Sequence, residues 1–164
     1  MKTLLLMRHA KSSRDDLSLA DHERPLNPRG WRDAPRMGQR LAEAGLLPGR
    51  ILASDALRAR QTAGAVAEGC GFTGTVDLLS SLYGADRAAY LDVLRDLPDE
   101  ADPVLVVGHN PEIESLVDSL SGQAVEMSTA AIAHLALPIE HWQDVPGRAR
   151  AQLVEVWRPK DEQY

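Results

Sequence analysis

The sequence has few of the features that would point directly to a function. Its 164 residues include one cysteine, Cys70, which excludes an internal disulfide and a four-cysteine zinc site. Basic residues are not in excess, because 18 Lys and Arg stand against 24 Asp and Glu for a formal net charge of −6. This balance excludes a general binder of nucleic acids or anionic membranes. The sequence has no H-E-x-x-H and no G-x-x-x-x-G-K-[ST] motif, so we expect neither a metal nor another cofactor.

Long apolar runs are also missing. No segment approaches the ~20 apolar residues of a membrane span. The N-terminal stretch MKTLLLM runs into charged residues without a small-residue cleavage site, so we do not expect a signal peptide. We therefore expect a cytoplasmic, monomeric protein with a single domain over residues 1–164, and no membrane or nucleic-acid partner.

The sequence does contain apolar runs that alternate with helical patterns, which predicts an α/β fold with a mainly parallel sheet and helices on both faces. Strands are predicted at 2–8, 50–54, 75–78, 103–108, 130–137 and 151–158. Helices are predicted at 28–44, 56–70, 86–97 and from Pro111 onward, the last capped by Asn110. Cys70 continues the inward face of the second of these helices, so we interpret it as a buried core thiol.

The first helix has the clearest boundary signals. Asn27 fits the N-cap, Pro28 the first helical position and Gly45 the C-terminal stop. Pro35 fits poorly inside this helix and is expected to kink or delay it. The inner stripe is predicted to contain Ala34, Met37, Leu41 and Ala42.

Three predicted strands end in residues suited to phosphate chemistry. The first ends in Arg8-His9, the second leads into a helix whose first turn holds Arg58, and the fourth delivers His109-Asn110. Each residue alone is more often solvated surface. Because ligands bind outside the carboxyl ends of strands in open α/β sheets, however, the coincidence predicts one anion pocket there.

Phosphoryl transfer is the chemistry that these residue types favour. Arginine offers a planar fork of donors to phosphate oxygens, and a neutral imidazole is a competent nucleophile. The cations beside His9 should keep it neutral. His109 could then donate a hydrogen bond to the transferring group.

These residues resemble the motifs of the histidine phosphatase superfamily (phosphoglycerate mutase-like). The stretch LLLMRHAKS resembles its Arg-His-Gly signature, with Ala10 in the glycine position, and SDALRARQTA resembles its second motif. VLVVGHNPEIE resembles the motif of its second histidine. The short length, ERPLNPRG and MSTAAIAHLAL are similar to the SixA-type phosphohistidine phosphatase branch.

The resemblance implies a three-layer α/β/α sandwich and a metal-free, two-step phosphoryl transfer. His9 would become phosphorylated, and Arg8, Arg58 and His109 would surround the phosphoryl oxygens. The remaining expected phosphate or substrate contacts are Ser12, Arg24 and Asn110. No role is assigned to Lys11 or Ser13.

The chain departs from larger members of the superfamily at the proton donor. They carry an acidic residue shortly after the third strand, where this chain has LLSSLYGADRAAY and offers only Asp86 or Tyr83. A missing acid penalises alkyl phosphates more than phosphohistidine, whose imidazole leaves easily. The favoured substrate is therefore a phosphohistidine protein. The alternatives are a phosphatase for small phosphate esters and a silent phosphate-binding module.

Overall fold

The fold is a central sheet covered by helices on both faces. The computed structural model describes residues 1–159. The strands are β1 (Lys2–Arg8), β2 (Arg50–Ser54), β3 (Asp77–Leu79), β4 (Val104–Gly108), β5 (Ile132–Leu137) and β6 (Gln152–Trp157). The helices are α1 (Pro28–Glu43), α2 (Leu57–Cys70), α3 (Arg87–Arg95) and α4 (Glu112–Ser121). Short 3-10 turns occur at Asp21–Glu23, Ser80–Leu82 and Trp142–Asp144. Within residues 1–159, no helix is long and apolar enough to cross a bilayer.

The strand order is β3-β2-β4-β1-β5-β6. The four strands from β3 to β1 are mutually parallel, whereas β5 and β6 pair antiparallel at one side. This arrangement confirms the predicted mainly parallel sheet. It also makes β1, β2 and β4 neighbours, so their carboxyl ends meet at one edge.

Two apolar layers lie on opposite faces of the sheet. Along β1, Leu4 and Leu6 belong to one layer, and Leu5 and Met7 to the other. The alternation follows from the period of two in a strand. Helices α3 and α4 contribute to the first layer, and α1 and α2 to the second. Burial on both faces explains why the parallel strands read as continuous apolar runs.

Helix α1 begins and ends as predicted. The Asn27 side chain caps it by accepting a hydrogen bond from the Gly30 amide at 2.9 Å. Two details were wrong. The helix begins at Pro28 and continues through Pro35, so its start is not delayed, and Ala42 is exposed in its last turn. Gly38 belongs to the buried face, where Ala42 had been expected. A Cβ at Gly38 would overlap a backbone carbonyl of α2.

Helix α2 confirms the buried position of Cys70. The segment GCGFTG at 69–74 has G-x-G-x-x-G spacing. It closes α2, however, and Gly71 caps the helix in a left-handed conformation with φ of 80°. A dinucleotide-binding turn leads instead from a strand into a helix, so this segment is a helix terminus and not a nucleotide site.

Candidate active site

The predicted site residues meet at the carboxyl ends of the neighbouring strands β1, β2 and β4. In the register of β1 with β4, Arg8 lies opposite Gly108. The amide of His9 donates to the carbonyl of Gly108 at 3.0 Å. The rings of His9 and His109 consequently face one cavity, with centroids 5.2 Å apart.

His9 is buried and neutral. Its Nδ1 lies 2.7 Å from the carbonyl oxygen of Ala10, a contact that requires Nδ1 to carry the proton and leaves the Nε2 lone pair free. Burial, aided by nearby positive charges, lowers the pKa of His9 to about 3 against the opposing effect of this hydrogen bond. The ring can therefore act as a nucleophile at neutral pH.

His109 is positioned by two hydroxyl groups. Its Nε2 lies 2.8 Å from Ser54 Oγ, and its amide donates to Tyr90 Oη at 3.2 Å. Gly108 allows this second contact, because a Cβ at that position would overlap the Tyr90 hydroxyl. Burial and then the charge of Arg58 lower the pKa of His109 to about 4.

The two arginines of the predicted clamp are held by backbone carbonyls. Arg8 Nη1 donates to the Met127 carbonyl at 3.1 Å, and Arg58 Nη1 donates to the Asp21 carbonyl at 2.8 Å. The Nε atoms of both arginines are buried and have no hydrogen-bond partner among residues 1–159. A buried guanidinium N–H without a partner is costly, and a phosphate oxygen would satisfy it.

Asp21 is the main site residue that sequence reasoning missed. Its carboxylate accepts hydrogen bonds from Tyr83 Oη at 2.7 Å, Arg58 Nη2 at 3.0 Å and Arg24 Nε at 3.1 Å. The Tyr83 hydroxyl, followed by the two arginines, holds the pKa of Asp21 well below its usual range. The spacing of three residues between Asp21 and Arg24 was the one sequence signal for the ion pair between them.

Ser12 and Arg24, the predicted phosphate or substrate contacts, lie in the cavity wall. Arg24 Nη1 donates to Ser12 Oγ at 2.9 Å and to the Ser13 carbonyl at 3.3 Å. Both predicted contacts therefore belong to one hydrogen-bonded unit, which Asp21 extends to Arg58.

The two predicted proton-donor candidates differ in position. Tyr83 lines the cavity and donates to Asp21. Asp86 does not line it, because its carboxylate caps α3 by accepting from the Ala89 amide at 3.1 Å. The structure instead brings Glu112, at the start of α4, into the cavity wall, a residue that motif reasoning passed over.

Asn110 lines the cavity but does not cap α4, which corrects the prediction. Its amide nitrogen donates to Glu114 Oε1 and to the Met127 carbonyl, each at 2.9 Å, and the helix begins at Glu112. Glu114 also accepts from the Met127 amide at 3.0 Å. Asn110 and Glu114 thus hold the backbone segment whose carbonyl orients Arg8.

Residues of the SDALRARQTA motif form hydrogen bonds that hold the site together. Thr62 Oγ1 accepts from the Ala10 amide at 3.0 Å and donates to the Arg58 carbonyl at 2.7 Å. Gln61 Oε1 accepts from the Leu26 amide at 2.9 Å. These contacts fix α2 to the segment that follows β1, and the motif was the signal for them.

Of the other histidines, His22 lies nearest the site, which sequence reasoning did not anticipate. Its ring packs edge-on against Tyr83 with centroids 4.7 Å apart, and its Nε2 lies 2.9 Å from Asp55. His134 lies on β5, away from these residues, and its ring packs near that of Trp157.

The cavity in front of His9 and His109 measures about 470 Å³. Its wall is mostly polar and carries the cations Arg8, Lys11, Arg14, Arg24 and Arg58, alongside the carboxylates Asp21 and Glu112. Such an arrangement suits a compact oxyanion attacked by a neutral imidazole.

Comparisons with known proteins agree with this geometry. A sequence profile of the histidine phosphatase superfamily (branch 1) matches residues 4–82. An uncharacterised protein of Mycobacterium tuberculosis is 36% identical over 155 residues, covering 87% of this chain and 94% of that protein. The solved structure of the "putative phosphohistidine phosphatase SixA" from Nakamurella multipartitia has a TM-score of 0.82 at 31% identity, with 96% of each chain covered.

The structure of the protein histidine phosphatase SixA complexed with tungstate has a TM-score of 0.84 at 25% identity. The match covers 98% of this chain and 99% of that one. These likenesses extend over nearly the whole chain and confirm both the predicted fold and the resemblance. The chain belongs to the histidine phosphatase superfamily as a SixA-type member, and it is a phosphatase.

Proposed function

We propose that the protein hydrolyses phosphohistidine on a phosphorylated protein through a covalent intermediate on His9. The observation that carries the substrate class is the state of the acidic groups at the cavity. Asp21 is bound by two arginines and a phenol and stays ionised, whereas Asp86 caps α3. A leaving imidazole needs less proton donation than an alkoxide, so the commitment of Asp21 and Asp86 favours phosphohistidine and leaves Glu112 as the cavity carboxylate on which an ester substrate would depend.

The first step is an in-line displacement at phosphorus. The Nε2 lone pair of His9 forms a P–N bond while the P–N bond to the substrate imidazole breaks, and the leaving ring takes a proton from water. Arg8, Arg58 and His109 stabilise the charge on the phosphoryl oxygens. In the second step water attacks phosphorus and releases a proton to solvent, the P–N bond breaks with its electron pair returning to His9 Nε2, and inorganic phosphate leaves.

Phosphate release from a phosphohistidine protein tests the proposal. His9→Ala is expected to abolish release, whereas His141→Ala is a matched control, because His141 is exposed and bonded to Asp99 at 2.7 Å. The trapped phosphoenzyme should be labile in acid and stable in alkali. Release by His9→Ala at the wild-type rate, or an alkali-labile adduct, would refute the mechanism.

A second candidate function is hydrolysis of small phosphate esters, which the position of Glu112 in the cavity wall favours. In that case Glu112 would protonate the alkoxide leaving group. Glu112→Gln should then reduce turnover of an alkyl phosphate far more than turnover of phosphoimidazole. Equal effects on both substrates would remove Glu112 as the acid, and turnover of any aryl phosphate would exclude a silent binding module.

A further inference from the structure

The outer wall of the cavity carries two cations that the phosphoryl chemistry does not use. Lys11 and Arg14 are exposed and line the cavity beside Ser12 and Arg24. Neither side chain has a hydrogen bond or ion pair with any residue in the range 1–159. The inner arginines differ, since each already donates to a protein oxygen.

The backbone that carries Lys11 is firmly anchored. The Lys11 carbonyl accepts from the Asn27 amide at 3.0 Å, and Gly30 packs so closely against it that a Cβ would overlap the oxygen. Ser12 forms an antiparallel bridge with Leu26. The Lys11 side chain therefore projects from a fixed segment at the mouth of the site.

The charge beside Lys11 and Arg14 is opposite in sign to the net charge of the chain. The chain has a formal net charge of −6, yet this side of the cavity is basic. The neighbouring carboxylates Asp15 and Asp16 do not line the cavity, and Asp16 is hydrogen-bonded to Ser18. Free cations beside an anion site attract a second negative group on the same ligand.

We propose that Lys11 and Arg14 recognise acidic side chains that flank the phosphohistidine on the substrate protein, and so determine its sequence preference. This inference rests on the function proposed above. Exposed, separate cations suit carboxylates spaced along a polypeptide, whereas a second phosphoryl group would call for buried, converging donors such as those around Arg58.

Two phosphohistidine peptides that differ in the flanking residues test the inference, one with glutamates and one with glutamines. The wild-type kcat/KM should favour the glutamate peptide about fivefold, the scale of two exposed ion pairs, and the preference should shrink as ionic strength rises. In the variant Lys11→Gln/Arg14→Gln the ratio should fall to about one. The control is Arg36→Gln/Arg148→Gln, which removes the same charge at exposed positions outside the cavity wall and should keep the preference.

The outcomes distinguish failure of the proposed function from failure of the substrate preference. If wild-type protein releases phosphate from neither peptide nor from phosphoimidazole, the proposed function is wrong and this inference falls with it. If both peptides are dephosphorylated with equal kcat/KM, the inference alone is overturned. It is also overturned if the control pair abolishes the preference as fully as the Lys11/Arg14 pair, or if only a bisphosphorylated small molecule depends on Lys11 and Arg14.

Discussion

Lowering the pH from 7 to 5 is expected to destabilise the folded protein through His9. Burial is the main cause that lowers the pKa of His9 from 6.5 to about 3. Between these values the unfolded chain binds a proton on the ring and the folded protein does not. The stabilisation is therefore fully present above pH 6.5 and is lost as the pH falls toward 3. Linkage from the two pKa values gives a loss of about 2 kcal/mol between pH 7 and pH 5.

Urea unfolding followed by tryptophan fluorescence, in buffer free of phosphate, measures this loss. His9→Gln should lose about 2 kcal/mol less than wild type over the same interval. His109, whose pKa is also lowered, adds a loss of the same sign to both proteins. His141→Gln is the control, because Asp99 raises the pKa of exposed His141 and this shift opposes acid destabilisation. Equal losses in wild type and His9→Gln would show that His9 is not held neutral by burial.

Three substitutions test the contacts that organise the site. Asp21→Asn should tighten the binding of inorganic phosphate measured by calorimetry, because a negative charge leaves the cavity. It should also lower kcat about tenfold, because Arg58 is held less firmly. An unchanged kcat would contradict this role. Gly108→Ala should cost about 1–3 kcal/mol in urea unfolding by overpacking against Tyr90, and a cost no smaller in a Tyr90→Phe background would oppose the explanation. Glu114→Ala should reduce kcat on an aryl phosphate about tenfold, whereas Glu114→Gln, which keeps an acceptor oxygen, should retain most of it; equal losses would refute positioning by hydrogen bonds.

The sequence was sufficient to predict that the candidate site residues lie together, because local patterns and one topological rule determine their placement. Apolar runs identify strands, and the carboxyl ends of parallel strands share an edge. Arg8, His9 and His109 follow directly from that rule, and Arg58 lies one helical turn beyond it. The strand order that the rule requires is the one observed.

The supporting contacts could not be read from the sequence because they join segments far apart in the chain. Asp21 begins a short 3-10 turn, and it reaches Tyr83 across 62 residues. Glu114 lies inside α4 and bonds to Met127. The prediction of Asp86 as a proton donor was wrong for a related reason. A carboxylate just before a helix accepts a hydrogen bond from a local backbone amide, and the closeness of Asp86 to Tyr83 in the sequence did not reveal this competing contact.

The anchoring of the two arginines explains how the site can be ready before substrate arrives. The Met127 carbonyl accepts from Arg8 and orients its guanidinium, while the Glu114 carboxylate acts on Arg8 through its charge alone. Arg58 donates to both the backbone carbonyl and the side-chain carboxylate of Asp21, so part of its positive charge is already balanced. Preorganised donors lower the barrier because they need not reorient in the transition state. The two arginines should therefore differ in kind, with Arg8 supplying more of the attraction for phosphate and Arg58 more of the fixed geometry.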